Sequence, residues 1–339
     1  MKKYQLLEGS TDLSSLQLVE RAEPEPADGQ VLVRVHATSL NYRDYAVVTG
    51  NYFGGILKRD TVPLSDGAGE VVAVGQNVSR FKPGDRVIAT FFQVWVDGVP
   101  DRSSFNALGS PADGMLAEYV VLDQEGLVRC PDHLRYEEAA TLPCAGVTAW
   151  NALAVSGRVQ PGDTVLALGT GGVSIFALQF ARMSGARVII TSSSDDKLER
   201  ATNLGAAGTV NYTKTPDWHE EVLRLTEGRG VEHVVEVGGP GTLSRSMQSV
   251  GFRGRISLIG VVAGREGDTN PHPLMMKNAS MCGIFVGSRA MFEQMNAAIS
   301  VNRMRPVVDR VFPFAEAAAA YDYQRAGKHF GKVVIRVAD

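Results

Sequence analysis

Two rhythms of hydrophobic residues divide the chain. In the first third they alternate. Residues 30–37 read QVLVRVHA, with Val31, Val33 and Val35 set against Leu32, Arg34 and His36. That period of two predicts a strand with one buried face. Residues 70–74 (EVVAV) and 86–89 (RVIA) predict two more. Between them Lys82-Pro83-Gly84-Asp85 puts Pro and then Gly at the central positions of a type II turn. Gln160-Pro161-Gly162-Asp163 repeats that spelling ahead of another strand. The flanks of the two turns do not match, so this is shared turn chemistry and not a duplication.

From about residue 160 the rhythm changes. Residues 164–168 (TVLAL) are apolar without alternation, as expected of a strand covered on both faces. A glycine cluster follows, then 174–184 (SIFALQFARMS), where Phe176, Phe180 and Met183 recur at helical spacing and Gly185 ends the run. Residues 187–191 (RVIIT) are the next buried strand, and 233–237, 255–260 and 282–287 read the same way. Helical stretches lie between, including 195–204 and 217–226. Strands alternating with helices imply βαβ units and a parallel sheet. The tail carries an Ala-rich helix over 314–325 and a last strand, 332–337 (KVVIRV), expected to return to the first domain. The fold class is therefore α/β. A mainly β domain, residues 1–124 and 290–339, is interrupted by a parallel-sheet domain, residues 125–289.

Composition narrows the function classes. The 339 residues suit two domains, at about 150 residues each. Lys+Arg 34 against Asp+Glu 37 gives a net charge of −3. There is no cationic surplus to meet a phosphate backbone or an anionic lipid surface, so neither nucleic acid nor membrane is an expected partner. Cys130, Cys144 and Cys282 are too few for a disulfide framework or a four-thiolate zinc site. The opening MKKYQLLEGS has only a short apolar patch, broken by Glu8, which does not read as a secretory signal. No apolar run approaches the about 18 residues of a membrane span. A cytoplasmic location is expected.

The glycine cluster carries the first candidate chemistry. Gly169-Thr170-Gly171-Gly172-Val173-Ser174 lies between a strand and a helix. Glycines there let the backbone approach a pyrophosphate, and the helix N-terminus supplies amide donors and a partial positive charge. Ser174 stands where the fingerprint has its third glycine. The tip of the following strand selects the cofactor: a carboxylate suits the ribose hydroxyl of NAD, an open polar pocket the 2′-phosphate of NADP. Here the strand ends Thr191-Ser192-Ser193-Ser194, with Lys197 in the next helix. That favours NADP, with Asp195 and Asp196 as the counter-weight toward NAD.

The motifs then occur in a recognisable order. They are Asn41-Tyr42-Arg43-Asp44, Gly50 and Tyr52, Asp66-Gly67-Ala68-Gly69-Glu70-Val71, Lys82-Pro83-Gly84-Asp85-Arg86-Val87, and Ala145-Gly146-Val147-Thr148-Ala149-Trp150, then the Gly169 loop and Phe330-Gly331-Lys332-Val333-Val334. Over essentially its full length the chain resembles the medium-chain dehydrogenase/reductase superfamily, in its zinc-independent, quinone-oxidoreductase-like branch. The resemblance implies a GroES-like, mainly β catalytic domain and a Rossmann doubly wound parallel sheet. It also implies roles at matching positions. Asn41 would bond near the nicotinamide ribose, Tyr52 would line the substrate side as a proton donor, and Thr148 would sit near the nicotinamide. Lys197 and Tyr212 match positions that contact a 2′-phosphate. Gly260 and Val286-Gly287-Ser288 would flank the nicotinamide ring. Relatives pair the sheet edge near Cys282 across a two-fold axis, which implies a homodimer.

The departures matter as much. Zinc-binding members carry a Cys where Asn41 stands and Gly-His-Glu where Leu64-Ser65-Asp66 stand, while Cys144 matches the third ligand position. One thiol cannot hold a catalytic zinc, which needs three protein ligands and an open position. Residues 91–113, in place of the structural-zinc lobe, hold no cysteine. No zinc is expected, and Cys144 reads as a small packing residue. His133, His219, His233, His272 and His329 show no ligand spacing, and there is no Gly-x-Ser-x-Gly elbow. Without a Lewis acid, hydride transfer favours a small-molecule acceptor that spreads charge itself, a quinone or an α,β-unsaturated carbonyl. The alternatives are a zinc-free alcohol dehydrogenase or carbonyl reductase on the same scaffold, and a cofactor-binding scaffold without turnover.

Overall fold

A computed structural model describes residues 1–264 and 266–338. The chain divides into two compact units, Met1–Val147 with Gly287–Asp339, and Thr148–Val286. Seven strands come first: β1 (Lys2–Leu6), β2 (Leu16–Glu20), β3 (Gln30–Ser39), β4 (Asp66–Val74), β5 (Arg86–Ala89), β6 (Tyr119–Asp123) and β7 (Leu127–Arg129). The second unit holds β8 (Thr164–Ala167), β9 (Arg187–Ser192), β10 (Gly208–Asn211), β11 (Val231–Glu236), β12 (Val250–Leu258) and β13 (Ser280–Gly283). β14 (Val308–Pro313) and β15 (Lys332–Arg336) follow. The helices, in chain order, are α1 (Tyr42–Val48), α2 (Tyr136–Ala139), α3 (Val147–Trp150), α4 (Gly172–Met183), α5 (Asp195–Asn203), α6 (Trp218–Leu225), α7 (Pro240–Ser249), α8 (His272–Lys277), α9 (Arg289–Asn302) and α10 (Ala317–Arg325). No helix of the described residues is long and apolar enough to cross a membrane.

In the first unit the main sheet runs β14-β15-β3-β4-β5-β7, with β6 added to β3. Only β14 and β15 pair in parallel; the other pairings are antiparallel. The period-two pattern of β3 holds in part, since Leu32 on the opposite face is buried as well. Val31, Val33 and Val35 enter a core with Val71, Phe81, Val87 and Leu127, while Arg34 is exposed. The tail strand β15 returns to β3, Val334 opposite Ser39 and Ile335 opposite Thr38. Residues 125–147, expected with the parallel sheet, group with this unit instead. β7 is antiparallel to β5, and Asn296 Nδ2 of α9 donates to the Arg129 carbonyl at 3.0 Å. A three-residue strand carries no period to read. Helix α9 begins at the Ser288 cap, which accepts from the Met291 amide, and buries Phe292, Met295 and Ile299 at helical spacing.

The second unit is a six-stranded, all-parallel sheet in the order β10-β9-β8-β11-β12-β13. Numbered from β8, this is the doubly wound 3-2-1-4-5-6 arrangement. The strand order reverses between β8 and β11, and ligands bind such sheets outside the carboxyl ends at that switch point. All of β8 is buried, which accounts for its lack of alternation. The strand expected over 282–287 is shifted: β13 ends at Gly283 and forms the sheet edge. Val286, with φ of 53°, cannot continue it. The helix expected over 314–325 begins with a 3₁₀ turn, Phe314–Glu316, ahead of α10.

The two Pro-Gly turns share their geometry. Gly84 and Gly162 have φ of 89° and 92°. The Asp85 amide donates to Lys82 O and the Asp163 amide to Gln160 O, each at 3.1 Å. Each aspartate also accepts from the first residue's amide. A Cβ added at either glycine meets nothing within 4 Å. Gly84→Ala and Gly162→Ala therefore expose backbone strain alone, and each is expected to cost about 1 kcal/mol in urea unfolding.

Candidate active site

The glycine loop closes the carboxyl end of β8. Gly169 has φ of 73°, which a side chain would resist, and its N–H donates to Thr191 Oγ1 at 3.1 Å. Gly171 is the N-cap of the 12-residue α4, which has no side-chain cap. No added Cβ at Gly169 or Gly171 would touch anything. The loop is thus open above an uncapped helix N-terminus, a fit for a pyrophosphate. Thr170 is buried, and Gly172 and Val173 are half-buried at the helix start. Ser174, in place of the third glycine, turns its hydroxyl back to the Leu168 carbonyl at 2.6 Å. It therefore satisfies the strand and leaves the loop clear.

Four of the expected determinants meet at the tip of β9. The Tyr212 amide donates to Ser192 O at 3.1 Å, the Ser194 amide to Ser192 Oγ at 3.3 Å, and the Lys197 amide to Ser194 Oγ at 3.4 Å. Ser193 and Tyr212 are exposed. Asp195, the acid that would favour a ribose hydroxyl, is already engaged. It accepts from Lys214 Nζ at 2.5 Å and Asn211 Nδ2 at 2.7 Å, and those bonds hold its carboxyl below the usual carboxylate range.

Sequence reasoning missed Glu236, at the end of β11. Fully buried, its Oε1 accepts from the amides of Gly238 (2.7 Å) and Gly239 (3.0 Å) and from Thr242 Oγ1 (2.7 Å), and its Oε2 accepts from Ser246 Oγ. One carboxylate thereby shapes the loop into α7 at the switch point. The signal was present as an acid two residues before Gly238-Gly239. Gly260 lies against this loop: a Cβ there would come 2.5 Å from Val237 O. The Val286 carbonyl accepts from Asn151 Nδ2 at 2.8 Å, which holds a β-branched residue in a strained conformation of the kind that clusters at functional sites. Gly287 is close to Val147 and Met291, and Ser288 caps α9. Thr148, buried in α3, lies in a helical run that is π-helical on either side, at Leu142–Gly146 and Asn151–Val155.

In the first unit the motif residues form one buried polar cluster. The Asn41 amide N–H donates to Asp44 Oδ2 at 2.6 Å, and Asp44 lies 3.6 Å from Arg43 Nη1. Burial pushes the Asp44 carboxyl up to about 6, against the pull of Arg43. The Arg43 guanidinium is stacked between the rings of Tyr52 (4.5 Å) and Phe91 (4.9 Å) and donates to the carbonyls of Leu108 and Ser110. Asn41 and Tyr52 are thereby joined through Asp44 and Arg43. Burial raises the Tyr52 phenol above its ordinary value, with Arg43 opposing. Phe91, Phe92 and Trp95 are buried and pack with Phe105.

The metal-ligand positions hold a different chemistry. Ser65 Oγ donates to Asp66 Oδ1 at 2.7 Å, and the Cys144 amide to Asp66 Oδ2 at 3.3 Å. Burial, and then the Asp66 charge, push the Cys144 thiol far up, so it is not a thiolate. Lys332 Nζ donates to Asn41 Oδ1 at 2.5 Å and lies 3.8 Å from Asp66 Oδ2. An amide bound to an ammonium, a hydroxyl bound to a carboxylate and a protonated thiol do not fit a zinc ion. Among the described residues no group of three or more His, Cys, Asp or Glu could hold a metal. Leu64, in place of the glycine of Gly-His-Glu, keeps a positive φ of 69°.

Residues 27–132 match the alcohol dehydrogenase GroES-like domain, and residues 172–300 match the zinc-binding dehydrogenase model. A zinc-type alcohol dehydrogenase-like protein of Schizosaccharomyces pombe is 49% identical over 318 residues, 91% of each chain. Human quinone oxidoreductase is 28% identical over 310 residues, 89% of this chain and 87% of the other. A Sinorhizobium meliloti crystal structure assigned as an alcohol dehydrogenase superposes with a TM-score of 0.91 at 42% identity, covering 99% of this chain and 100% of the other. The GroES-like sheet, the 3-2-1-4-5-6 sheet with its glycine loop and these likenesses agree: the chain belongs to the medium-chain dehydrogenase/reductase superfamily and is an oxidoreductase.

Proposed function

We propose that the chain uses NADP(H), without zinc, to reduce a quinone or an α,β-unsaturated carbonyl. The observation that carries this reading is the cluster at Asn41, Tyr52, Asp66, Cys144 and Lys332, which offers hydrogen-bond donors and no set of metal ligands. Such a site suits an acceptor that delocalises its own charge and needs donors at one oxygen. When bound, the reduced nicotinamide supplies the hydride. The chain's residues do the rest. Gly169, Thr170, Gly171, Gly172 and Val173 bind the pyrophosphate at the α4 N-terminus. Ser192, Ser193, Lys197 and Tyr212 take the 2′-phosphate, with Asp195 held away by Lys214. Gly260, Thr148, Val286, Gly287 and Ser288 bound the nicotinamide. Asn41 bonds near the nicotinamide ribose, Tyr52 lines the substrate side, and the proton comes from Tyr52 or water. A second reading is a zinc-free alcohol dehydrogenase or carbonyl reductase, and its alcohol dehydrogenase part is supported by the likeness to the S. pombe zinc-type alcohol dehydrogenase-like protein.

The test offers purified protein NADPH or NADH with quinones, enones, aldehydes and alcohols. NADPH-linked turnover of the conjugated acceptors, unchanged by chelator, is expected. Turnover that needs stoichiometric zinc overturns the reading, turnover of aldehydes alone selects the second one, and failure to bind either nucleotide selects an idle scaffold. In the same assay Lys197→Glu is expected to raise the NADPH KM about tenfold or more and leave that for NADH, since it places a like charge beside a phosphate.

Tyr52→Phe is expected to lower kcat, on the order of 100-fold if the phenol is the proton donor. Because burial raises the Tyr52 phenol, it stays protonated throughout the neutral range, and the wild-type rate should show no Tyr52 limb below pH 10. An unchanged rate in Tyr52→Phe assigns the proton to water.

The chain is also proposed to act in the cytoplasm as a homodimer through the exposed edge of β13, where Met281 is 41% exposed. Light scattering should give twice the 36.4 kDa chain mass, and Met281→Lys should shift it toward one.

A further inference from the structure

The side chain of Asn41 has a carbonyl end and an amino end, and Lys332 decides which way round they lie. An ammonium carries donors only, so the end it binds must be the acceptor. Lys332 Nζ donates to Asn41 Oδ1 at 2.5 Å and to the Leu40 carbonyl, and Asp66 Oδ2 is 3.8 Å away. Lys332 is 3% exposed at the first position of β15, so its ammonium depends on protein acceptors. The Asn41 backbone is held as well, by its N–H bond to Asp44. That leaves the amino end. Asn41 Nδ2 is buried and closes no hydrogen bond, and burial raises the neighbouring Asp66 carboxyl above its ordinary value, with Lys332 and then the Asn41 side chain opposing. An amide has two N–H groups. One turned toward Asp66 leaves the second without an acceptor, in a buried site where an unmatched donor is costly. A cation on the carbonyl end polarises that donor further.

We propose that Asn41 Nδ2 is the donor that takes up the oxyanion of the acceptor, and that Lys332 is the positioning residue that keeps this end of the amide available. This rests on the reduction of a conjugated carbonyl or quinone given under Proposed function. As a hydride reaches the β-carbon of an enone, a C–H bond forms there. The C=C pair becomes the enolate double bond and the C=O pair moves to oxygen, which accepts from Asn41 Nδ2–H. Protonation by Tyr52 or water completes a two-electron reduction, with the dihydronicotinamide oxidised. The assignment differs from a role for Asn41 at the nicotinamide ribose: the amide serves the substrate, and its charge-bearing partner is part of the first unit's last strand.

The test compares wild type, Asn41→Asp, Asn41→Ala, Lys332→Met and the Asn41→Ala/Lys332→Met pair, with NADPH and 2-cyclohexen-1-one or 1,4-benzoquinone. NADPH affinity is read separately from its fluorescence. Asn41→Asp keeps an oxygen for Lys332 and loses the donor, and its kcat should fall about 100-fold with NADPH Kd nearly unchanged. Lys332→Met should lower kcat about tenfold in the wild-type background and cost nothing further in Asn41→Ala, because it acts only through that amide. A purely structural lysine would give additive losses and overturns the positioning role. A kcat retained in Asn41→Asp, or a loss that appears as weaker NADPH binding, assigns Asn41 to the nucleotide and overturns the proposal alone. A wild-type protein inert to both acceptors overturns the functional reading and the proposal together. Should Lys332→Met fail to fold, Asn41→Asp decides the donor role, and Lys332→Gln, which keeps a donor for the Asn41 carbonyl, takes the place of Lys332→Met in the pair.

Discussion

Lys332 and Asp66 are both withdrawn from water, 3.8 Å apart, and the polar interior of the first unit is arranged around neutralising them. Desolvating two charges is expensive, and their attraction offsets that cost only when the remaining donors and acceptors are also satisfied. Here they are. Ser65 and the Cys144 amide complete the carboxylate, while Leu40 and Asn41 complete the ammonium. Removing either charge would strand the other, a loss on the order of 3–5 kcal/mol for buried pairs. The pair ties together β15, β4, the start of α1 and the π-helical run at Cys144.

The same requirement sets these residues apart from a set of zinc ligands. A zinc site would need deprotonated ligands around a cation. This chain already contains its cation, attached covalently as Lys332, and the groups at the ligand positions spend their lone pairs and protons on it or on Asp66. Burial then keeps the Cys144 thiol protonated. Arg43 repeats the theme one step outward, where its guanidinium pins the Leu108 and Ser110 carbonyls of the segment that would otherwise be a zinc-bound lobe.

In the second unit the organising group is Glu236, whose buried carboxylate gathers two backbone amides and two hydroxyls beside the switch point of the sheet. It sets the loop that Gly260 packs against. On the far side of β8, the tip of β9 collects hydroxyls while Lys214 occupies the nearby acid. Both arrangements are local to loops, yet each depends on parallel strands ending at the same level, which fixes the spacing of their carboxyl ends.

Periodicity alone was enough for the long elements. The alternation of β3, the unbroken apolar runs of β8 and β9, the helical spacing of Phe176 and Phe180, and the Pro-Gly spelling of two turns are each local properties, and local properties survive in a linear string. The motif order was legible too, and with it the glycine loop. Other features depended on residues far apart in sequence. β7 and α9 have no internal pattern that declares their unit, which was decided by pairing with β5 and by the Asn296 bond. The strand near Cys282 stops at Gly283, where its partner β12 ends at Leu258, a pairing that no local pattern records. Lys332 and Asn41 are 291 residues apart. No spacing rule relates them; only the antiparallel pairing of β15 with β3 carries the ammonium to the amide carbonyl, where burial makes each the other's partner.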